Sequence, residues 1–243
     1  MRLRGRAASP VTELSLEQCQ GKEFRGIFQK VYNIISHQLT TPNLKGIKGF
    51  IFYGEPGVGK TLMAKMLARQ LSVPLLFVDS TTIARKHYGD SEQLIAKLFE
   101  EASHNRALLL FDDVEALFLD RSSESSEGWN TGMNNVLFHQ LDNQDTSKCT
   151  VIMTTNLIGF LDKALRDRLY PIEFPLPSME TLLAVAYQRC KDLQINPEKI
   201  EKTIRSAPEN FRSLRAVDML VFEQYVAQIE IRALDQGGNV TLV

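Results

Sequence analysis

The sequence predicts an α/β fold in which a mostly parallel β-sheet is flanked by helices, followed by a small all-helical domain. Three observations support this prediction. Up to residue 177, short apolar runs of strand length alternate with segments whose apolar residues recur at helical spacing. One of these runs leads into a glycine-rich turn, and no strand pattern follows Pro175-Leu176-Pro177. Alternating strands and helices are typical of parallel sheets, whose ligands bind at the carboxyl ends of the strands.

The composition limits the class of protein. The 243 residues carry a formal net charge of -1, so the chain as a whole does not attract nucleic acid or an anionic membrane. The three cysteines, Cys19, Cys149 and Cys190, are widely spaced and match neither a disulfide framework nor a zinc site. No apolar run approaches the roughly 20 residues that cross a bilayer. We therefore expect a cytoplasmic protein that does not insert into a membrane.

The domain boundaries follow from the same patterns. Residues 1–12 carry three arginines, no acidic residue and no apolar core, so they predict a disordered N-terminal arm, although a targeting or anion-binding role stays open. Residues 13–177 form the predicted α/β domain, which begins with a helix at Leu14–Leu39. Residues 178–243 form the predicted helical domain, whose last helix places residues from Leu214 to Ile229 on one apolar face.

The glycine-rich turn predicts a phosphate site. It follows the apolar run Phe50–Tyr53 and precedes a helical pattern from Leu62, and its backbone N–H groups would converge on a polyphosphate beside the positive helix end. Lys60 would reach the terminal phosphates, and Thr61 would be a ligand of Mg²⁺. The predicted nucleotide-binding residues are Gly54, Glu55, Pro56, Gly57, Val58, Gly59, Lys60, Thr61 and Leu62. The turn therefore predicts a nucleoside triphosphate binder with a P-loop NTPase sheet.

The rest of the α/β domain continues the alternation. Apolar runs predict strands, and segments with apolar residues three and four apart predict helices. In order, the remaining predicted elements are a strand at Pro74–Val78, a helix at Asp90–Ala102, an interior strand at Ala107–Phe111, a mobile polar loop at Arg121–Gly132, a helix at Asn134–Leu141, a strand at Thr150–Thr154, a helix at Leu161–Arg168 and a strand at Ile172–Phe174.

Polar residues at two strand ends predict the catalytic groups. Asp112 closes an apolar run and is the candidate Mg²⁺ ligand, while Asp113 is the candidate that activates the attacking water. The acidic residue Glu115 lies nearby with a less defined role. Asn156 follows the next strand and can hydrogen-bond both the γ-phosphate and the water. Leu157 occupies the position where a guanine-reading motif carries lysine, which favours ATP over GTP.

These motifs together resemble an AAA+ ATPase module of the protein-remodelling branch, over about residues 13 to 235. Gly54–Thr61 matches the Walker A motif, Leu108–Asp113 the Walker B motif and Asn156 sensor 1. The segment Leu161–Arg168 resembles the second region of homology. The resemblance implies a five-stranded sheet with a helical lid, ATP and Mg²⁺ as cofactors, and a homo-oligomeric ring, usually a hexamer.

The resemblance also implies further site residues. Arg168 aligns best with an arginine finger that completes a neighbour's site, and Arg166 is the second candidate; alternatively, both pair with helix carboxylates. Arg215 resembles the sensor 2 arginine, or is an ordinary surface residue. The segment around Gln20 and Gly21 lies where relatives contact the adenine.

A pore loop is implied by Lys86, His87, Tyr88 and Gly89, which resemble the loop that grips an extended polypeptide in the channel of a ring. Here His87 holds the usual aromatic position and Tyr88 the aliphatic one. A tyrosine beside a lysine still suits contact with unfolded chain. Packing of this loop against its own subunit is the alternative.

The leading function is ATP-driven remodelling or translocation of a protein client, reached directly or through an adaptor. Relatives usually carry Glu where this chain has Asp113, and one methylene fewer withdraws the carboxylate by roughly 1.5 Å, so we expect slow hydrolysis. The first alternative is a nucleotide-gated scaffold with weak hydrolysis. The second is a nucleic-acid ATPase of the initiator or clamp-loader type, which the near-neutral charge disfavours.

Overall fold

The computed structural model describes residues 21–42, 45–79, 83, 90–115, 124–208 and 213–235. These residues divide into two compact units. The first comprises Gly26–Glu55 and Gly59–Phe174. The second comprises Pro56–Val58, the chain from Pro175 onward and the stretch that ends at Arg25.

A five-stranded, all-parallel sheet forms the centre of the first unit. Its strands are β1 (Gly49–Tyr53), β2 (Leu75–Asp79), β3 (Leu108–Asp112), β4 (Thr150–Thr155) and β5 (Tyr170–Glu173). They lie in the order β2-β3-β4-β1-β5, with β1 paired to both β4 and β5. The predicted parallel α/β sheet is confirmed. Because β3 and β4 are neighbours, the polar residues that end them lie at the same edge.

Five α-helices accompany this sheet in the described residues, and the first of them enters the first unit at Gly26. They are α1 (Lys22–Thr40), α2 (Lys60–Leu71), α3 (Asp90–Asn105), α4 (Glu124–Asn143) and α5 (Lys163–Arg168), with a 3₁₀ turn at Ile158–Phe160. Leu108–Phe111 of β3 are fully buried, as expected for an interior strand apolar on both faces. The largest core cluster joins Leu109 and Val151 of the sheet to Phe99, Leu137 and Leu165 of the helices. The sheet edge that carries the polar residues is thus fixed by a continuous core.

Several element boundaries differ from the sequence prediction. The loop predicted at Arg121–Gly132 is wrong from Glu124 onward, because α4 begins there. The polar composition of that stretch conceals the helix, which is anchored by the buried residues Met133, Leu137 and Leu141 at four-residue spacing. At the amino-terminal side, α1 begins at Lys22, directly after Gly21, whose positive φ of 115° interrupts the helix; the predicted start at Leu14 lies outside the described residues. Strand β5 begins two residues earlier than predicted.

The second unit contains α6 (Met179–Leu193), α7 (Glu198–Ser206) and α8 (Leu214–Asp235). Ser178 caps α6 by accepting a hydrogen bond from the Thr181 N–H. The three helices share a core that includes Leu182, Ala186, Cys190, Ile200, Ile204, Val217 and Val221. The predicted helical C-terminal region is confirmed, but Ile229 is 44% exposed instead of lying on the buried face.

Two further expectations concern cysteines and membranes. Among the described residues, Cys149 and Cys190 are buried, unpaired thiols. Burial raises the pKa of the Cys149 thiol to about 12, so this group is protonated at neutral pH. Within the described part of the chain, every helix is too short or too polar to cross a bilayer.

Candidate functional site

The glycine-rich turn bends the chain from β1 into α2. Gly54 and Gly59 have φ values of 142° and 100°, in the region that side chains rarely adopt. A Cβ on Gly54 would lie 2.3 Å from the carbonyl oxygen of Phe174. Gly59 is the N-cap of α2 and has no side chain to occupy the N–H groups of the first turn. The turn therefore leaves these helix donors for a ligand, as the sequence predicts.

Lys60, the first residue of α2, is 6% exposed and is surrounded by acceptors. Its Nζ donates to the carbonyl oxygens of Gly54 (2.7 Å) and Glu55 (2.9 Å) and to Oδ1 of Asn156 (2.8 Å). Burial lowers the pKa of Lys60, and nearby carboxylates, Asp113 foremost, oppose this shift. An ammonium carries three N–H donors, so its hydrogen bonds are complete in this state of the protein.

Asp112, at the end of β3, joins α2 to β4. Its Oδ1 accepts hydrogen bonds from Thr61 Oγ1 and from Thr154 Oγ1, each at 2.7 Å. Thr61 is the second residue of α2, and Thr154 lies in β4. The carboxylate is therefore held beside the hydroxyl with which it was predicted to share a metal ion.

Thr154 is a residue that sequence reasoning did not assign to the site. It is fully buried, and besides donating to Asp112 it accepts from the Asp113 N–H (2.9 Å) at its hydroxyl. Its carbonyl oxygen accepts from the Val114 N–H (3.0 Å). Asp113 itself is exposed and has a φ of 50°, uncommon for a residue with a side chain. The sequence feature that could have identified Thr154 is a hydroxyl within an otherwise apolar, buried strand, because a buried polar group needs a hydrogen-bond partner.

Glu115 is the second residue whose contacts were missed. It is 9% exposed, and its Oε1 accepts a hydrogen bond from the backbone N–H of Asn156. Its other oxygen, Oε2, is buried and has no hydrogen-bond partner among the described residues. Sequence reasoning noted the acidic residue but gave no reason to place it against β4.

The structure thus brings four of the predicted site residues together: Lys60, Thr61, Asp112 and Asn156. Two hydrogen-bonded pairs, Lys60 with Asn156 and Thr61 with Asp112, lie at the carboxyl ends of β1, β3 and β4, and the chain neighbours Lys60 and Thr61 join them. We call these four residues the Lys60 cluster, and Asp113 and Glu115 lie beside it. A buried ammonium, helix N–H groups, a hydroxyl and a carboxylate can together bind a phosphate and a hard cation.

The two candidate finger arginines lie in α5, whose N-cap is Asp162. Arg168 forms a bidentate salt bridge with Asp142 of α4, with nitrogen–oxygen distances of 2.9 and 3.0 Å, and lies over the Phe138 ring at 4.8 Å. This pairing raises the pKa of Arg168 and lowers the pKa of Asp142. Arg166 is exposed. Arg168 therefore makes the same-chain contact that sequence reasoning kept as its alternative.

The remaining candidates fall in the second unit or outside the described residues. In the second unit, the Leu214 N–H donates to the Gly57 carbonyl oxygen (3.1 Å), and a Cβ on Gly57 would lie 3.1 Å from the Cβ of Arg215. Arg215 is exposed, and Gly21 lies against Thr181. Gln20 and the predicted pore loop, Lys86, His87, Tyr88 and Gly89, lie outside the described residues.

Comparison with known proteins gives one family and a consistent set of relatives. Residues 50–176 match the model of the ATPase family associated with various cellular activities (AAA). A putative 26S proteasome regulatory subunit homologue of Methanocaldococcus jannaschii is 31% identical over 189 residues, which cover 75% of this chain and 49% of that protein. A 26S proteasome regulatory subunit 4 homologue of Dictyostelium discoideum is 38% identical over 168 residues, covering 63% and 38%.

A third relative, a putative 26S proteasome regulatory subunit homologue of Methanothermobacter thermautotrophicus, is 38% identical over 137 residues, or 55% of this chain and 37% of that protein. The chain thus spans about half or less of the length of these curated relatives. The family match covers more than half of the chain and includes the whole Lys60 cluster. On this basis the chain belongs to the AAA family of ATPases.

Proposed function

We propose that this chain binds ATP with Mg²⁺ at the Lys60 cluster and hydrolyses the nucleotide. The observation that carries the proposal is the hydrogen-bonded convergence of Lys60, Thr61, Asp112 and Asn156 at the carboxyl edge of the sheet. Family membership supports the same reaction.

The residues present fit this ligand pair. Lys60 now donates to two carbonyls and one amide, all uncharged, so exchanging one of them for a phosphate oxygen creates a stronger, charge-assisted hydrogen bond. Among the described residues, no group of three or more His, Cys, Asp or Glu side chains forms a ready metal cage. Mg²⁺ rarely needs one, because one or two protein ligands plus substrate phosphates suffice. Thr61 and Asp112 would hold the ion, which supplies neutralisation of phosphate charge.

Hydrolysis needs a carboxylate that polarises water and an amide that orients it. We assign these tasks to Asp113, whose charge acts on Lys60, and to Asn156, which accepts a hydrogen bond from Lys60 Nζ. An aspartate side chain is one methylene shorter than the glutamate that relatives usually carry at this position. The backbone of Asp113 has a φ of 50°, and its N–H is held by the Thr154 hydroxyl. Its reach is therefore restricted, and we expect slow turnover.

A homo-oligomeric ring, most simply a hexamer, is the assembly we propose. In it an arginine of α5 contributes to the neighbouring subunit's site. Arg166 is exposed, and Arg168 is held by a surface pair that costs little to open.

The test of this assembly mixes Lys60→Ala subunits, which lack the phosphate-binding lysine, with Arg168→Ala subunits. Activity regained in the mixture supports an arginine acting in trans, and a strictly additive mixture contradicts it. A parallel mixture with Arg166→Ala assigns the arginine.

We propose a protein client, handled directly or through an adaptor. The relatives named above are 26S proteasome regulatory subunits or their homologues, which supports polypeptide as the substrate class. A net charge of -1 argues against nucleic acid. Tyr88 is the proposed gripping residue. Its substitution by Ala should abolish client unfolding while leaving ATP affinity unchanged.

The central experiment measures ATP affinity and turnover of the wild type beside Lys60→Ala and Asp113→Asn. We expect saturable, Mg²⁺-dependent binding and slow phosphate release, with binding lost in the first variant and turnover lost in the second. Unchanged affinity in Lys60→Ala contradicts the proposed site. Turnover that survives in Asp113→Asn contradicts the role given to Asp113.

The second candidate function is a scaffold that assembles when ATP binds and hydrolyses it poorly. The restricted Asp113 favours this candidate. Oligomer mass, measured by light scattering with and without ATP, distinguishes the two. A ring that forms with ATP and persists through many hours without phosphate release supports the scaffold, whereas turnover stimulated by an unfolded protein supports the remodeller.

A further inference from the structure

Glu115 is a buried acidic residue whose contacts the proposed reaction does not yet use. One carboxylate oxygen, Oε1, accepts a hydrogen bond from the backbone N–H of Asn156. The other, Oε2, is buried without a partner among the described residues. A polar side chain that is 9% exposed needs hydrogen-bond partners, and the N–H of Asn156 is the donor that the described residues supply.

The position of Asn156 depends on this contact. Asn156 follows the last residue of β4, so the sheet ladder no longer holds its backbone. Its Oδ1 nevertheless accepts from Lys60 Nζ at 2.8 Å. The next N–H along the chain, that of Leu157, is held by Thr155 Oγ1 at 3.0 Å. Among the described residues Glu115 is the acceptor of the Asn156 N–H, so without it the direction of the Asn156 side chain would be less restricted.

The contact also joins two strand ends. Glu115 follows β3, and Asn156 follows β4. Through Glu115, the segment that carries Asp112 and Asp113 is tied to the segment that carries the amide facing Lys60. A site that must hold water and phosphate within fractions of an ångström gains from such a tie.

We propose that Glu115 is a positioning residue: it fixes the Asn156 main chain and thereby sets the Asn156 side chain against Lys60 and the reacting phosphate. This inference rests on the proposed ATPase function. Glu115 itself touches neither the nucleotide nor the attacking water. Its removal should lower the rate of the chemical step much more than the affinity for nucleotide.

The first test does not need activity. In amide NMR spectra of the nucleotide-free protein, a charge-assisted hydrogen bond shifts the Asn156 N–H proton downfield. Glu115→Gln keeps an acceptor oxygen and should keep most of this shift, whereas Glu115→Ala should abolish it. An Asn156 resonance that is the same in Glu115→Ala as in the wild type overturns the proposal. The Gln variant also keeps the test informative if the Ala variant folds poorly.

The second test separates positioning from stability. Glu115→Ala should lower kcat at least about tenfold while changing the Kd of a fluorescent ATP analogue less than about threefold, and Glu115→Gln should retain at least about a third of kcat. In an Asn156→Ala background, adding Glu115→Ala should cost less than about twofold, since the residue acts through Asn156. If the fold loss of kcat in the double variant equals the product of the losses in the two single variants, the proposal is wrong.

Two further outcomes separate the role of Glu115 from the proposed function. If Glu115→Gln loses as much kcat as Glu115→Ala while the Asn156 resonance stays in place, Oε2 acts directly and the positioning role is wrong. If the wild type does not hydrolyse ATP at all, the proposed function fails. The NMR comparison and the nucleotide Kd values then still decide whether Glu115 holds Asn156.

Discussion

Two cations of the first unit show how burial changes the meaning of a charged contact. Lys60 is 6% exposed and donates only to neutral groups, two backbone carbonyls and the Asn156 amide. The Arg168 side chain is 31% exposed and already has a carboxylate partner, Asp142. Their pKa values shift in opposite directions, because burial lowers that of Lys60 and the hydrogen bond to Asp142 raises that of Arg168.

The difference indicates where an anion will bind. Lys60 is desolvated and its partners compensate its charge only in part, so a phosphate oxygen improves its surroundings. Arg168 exchanges one anion for another when it leaves Asp142, which gives little net gain. We therefore expect Lys60 to supply most of the affinity for phosphate. A role for Arg168 depends on the opening of an exposed pair, which is energetically weak.

The largest effect is expected from removing the buried cation. Lys60→Ala should lower the affinity for ATP at least about tenfold, because it deletes charge-assisted hydrogen bonds to phosphate. Equilibrium binding of a fluorescent ATP analogue measures this. Lys65→Ala is the control, since Lys65 lies on the exposed side of α2 over the Phe77 ring, outside the Lys60 cluster. Equal affinities of the two variants would refute the assignment of the phosphate site.

The next largest effect, on stability, is expected from removing the Thr154 hydroxyl. Thr154→Val removes the hydroxyl that donates to Asp112 and accepts from the Asp113 N–H, so both hydrogen bonds are lost. We expect the free energy of unfolding to fall by about 1–3 kcal/mol, measured by urea denaturation. Thr154→Ser retains the hydroxyl and should lose less. If the Ser and Val variants are equally stable, the hydrogen bonds contribute nothing to the free energy of unfolding.

The sequence was sufficient for the parts of the fold that follow from periodicity and topology. Strand, glycine turn and helix are local features, and a parallel sheet necessarily places the ends of β1, β3 and β4 at one edge. The proximity of Lys60, Asp112 and Asn156 could therefore be expected from the chain alone. The sequence did not predict that the polar residues at the start of α4 are helical. Their helical state depends on the second half of α4, whose apolar residues pack in the core.

Contacts between residues distant in sequence could not be predicted. The pair of Arg168 with Asp142 spans 26 residues, and any exposed acid on a neighbouring helix would have suited the arginine equally. Glu115 and Asn156 are 41 residues apart, and only the register of β3 against β4 brings them together. The left-handed backbone of Asp113 also depends on that register, since the Thr154 hydroxyl holds its N–H.

The pKa shift of Lys60 predicts a smaller, pH-dependent effect. Its pKa in the folded protein lies below the usual 10.5, so between the two values the unfolded chain holds more protons and the free energy of unfolding rises with pH. The stability of the wild type minus that of Lys60→Met should therefore increase as the pH rises towards 10.5. Urea denaturation at several pH values measures this difference, and a flat or falling curve contradicts the desolvation of Lys60.

The smallest effect is expected at the exposed pair. Asp142→Asn should lower the free energy of unfolding by less than about 1 kcal/mol. This loss should disappear in acid, because the lowered pKa of Asp142 supplies stability only while the carboxylate stays ionised. Asp218→Asn is a matched control: its pair with Arg189 in the second unit has side-chain exposures of 30% and 53%, against 31% and 53% for Arg168 and Asp142.

The two variants should differ in turnover although they are alike in stability. If Arg168 must leave Asp142 to reach a neighbouring subunit, Asp142→Asn raises kcat by at most about fivefold, the factor that corresponds to a pair worth under about 1 kcal/mol. Asp218→Asn should leave kcat unchanged. A fall in kcat for Asp142→Asn would mean that the carboxylate holds Arg168 in its working position, and the exposed pair would then resemble the Lys60 cluster in being built for the reaction.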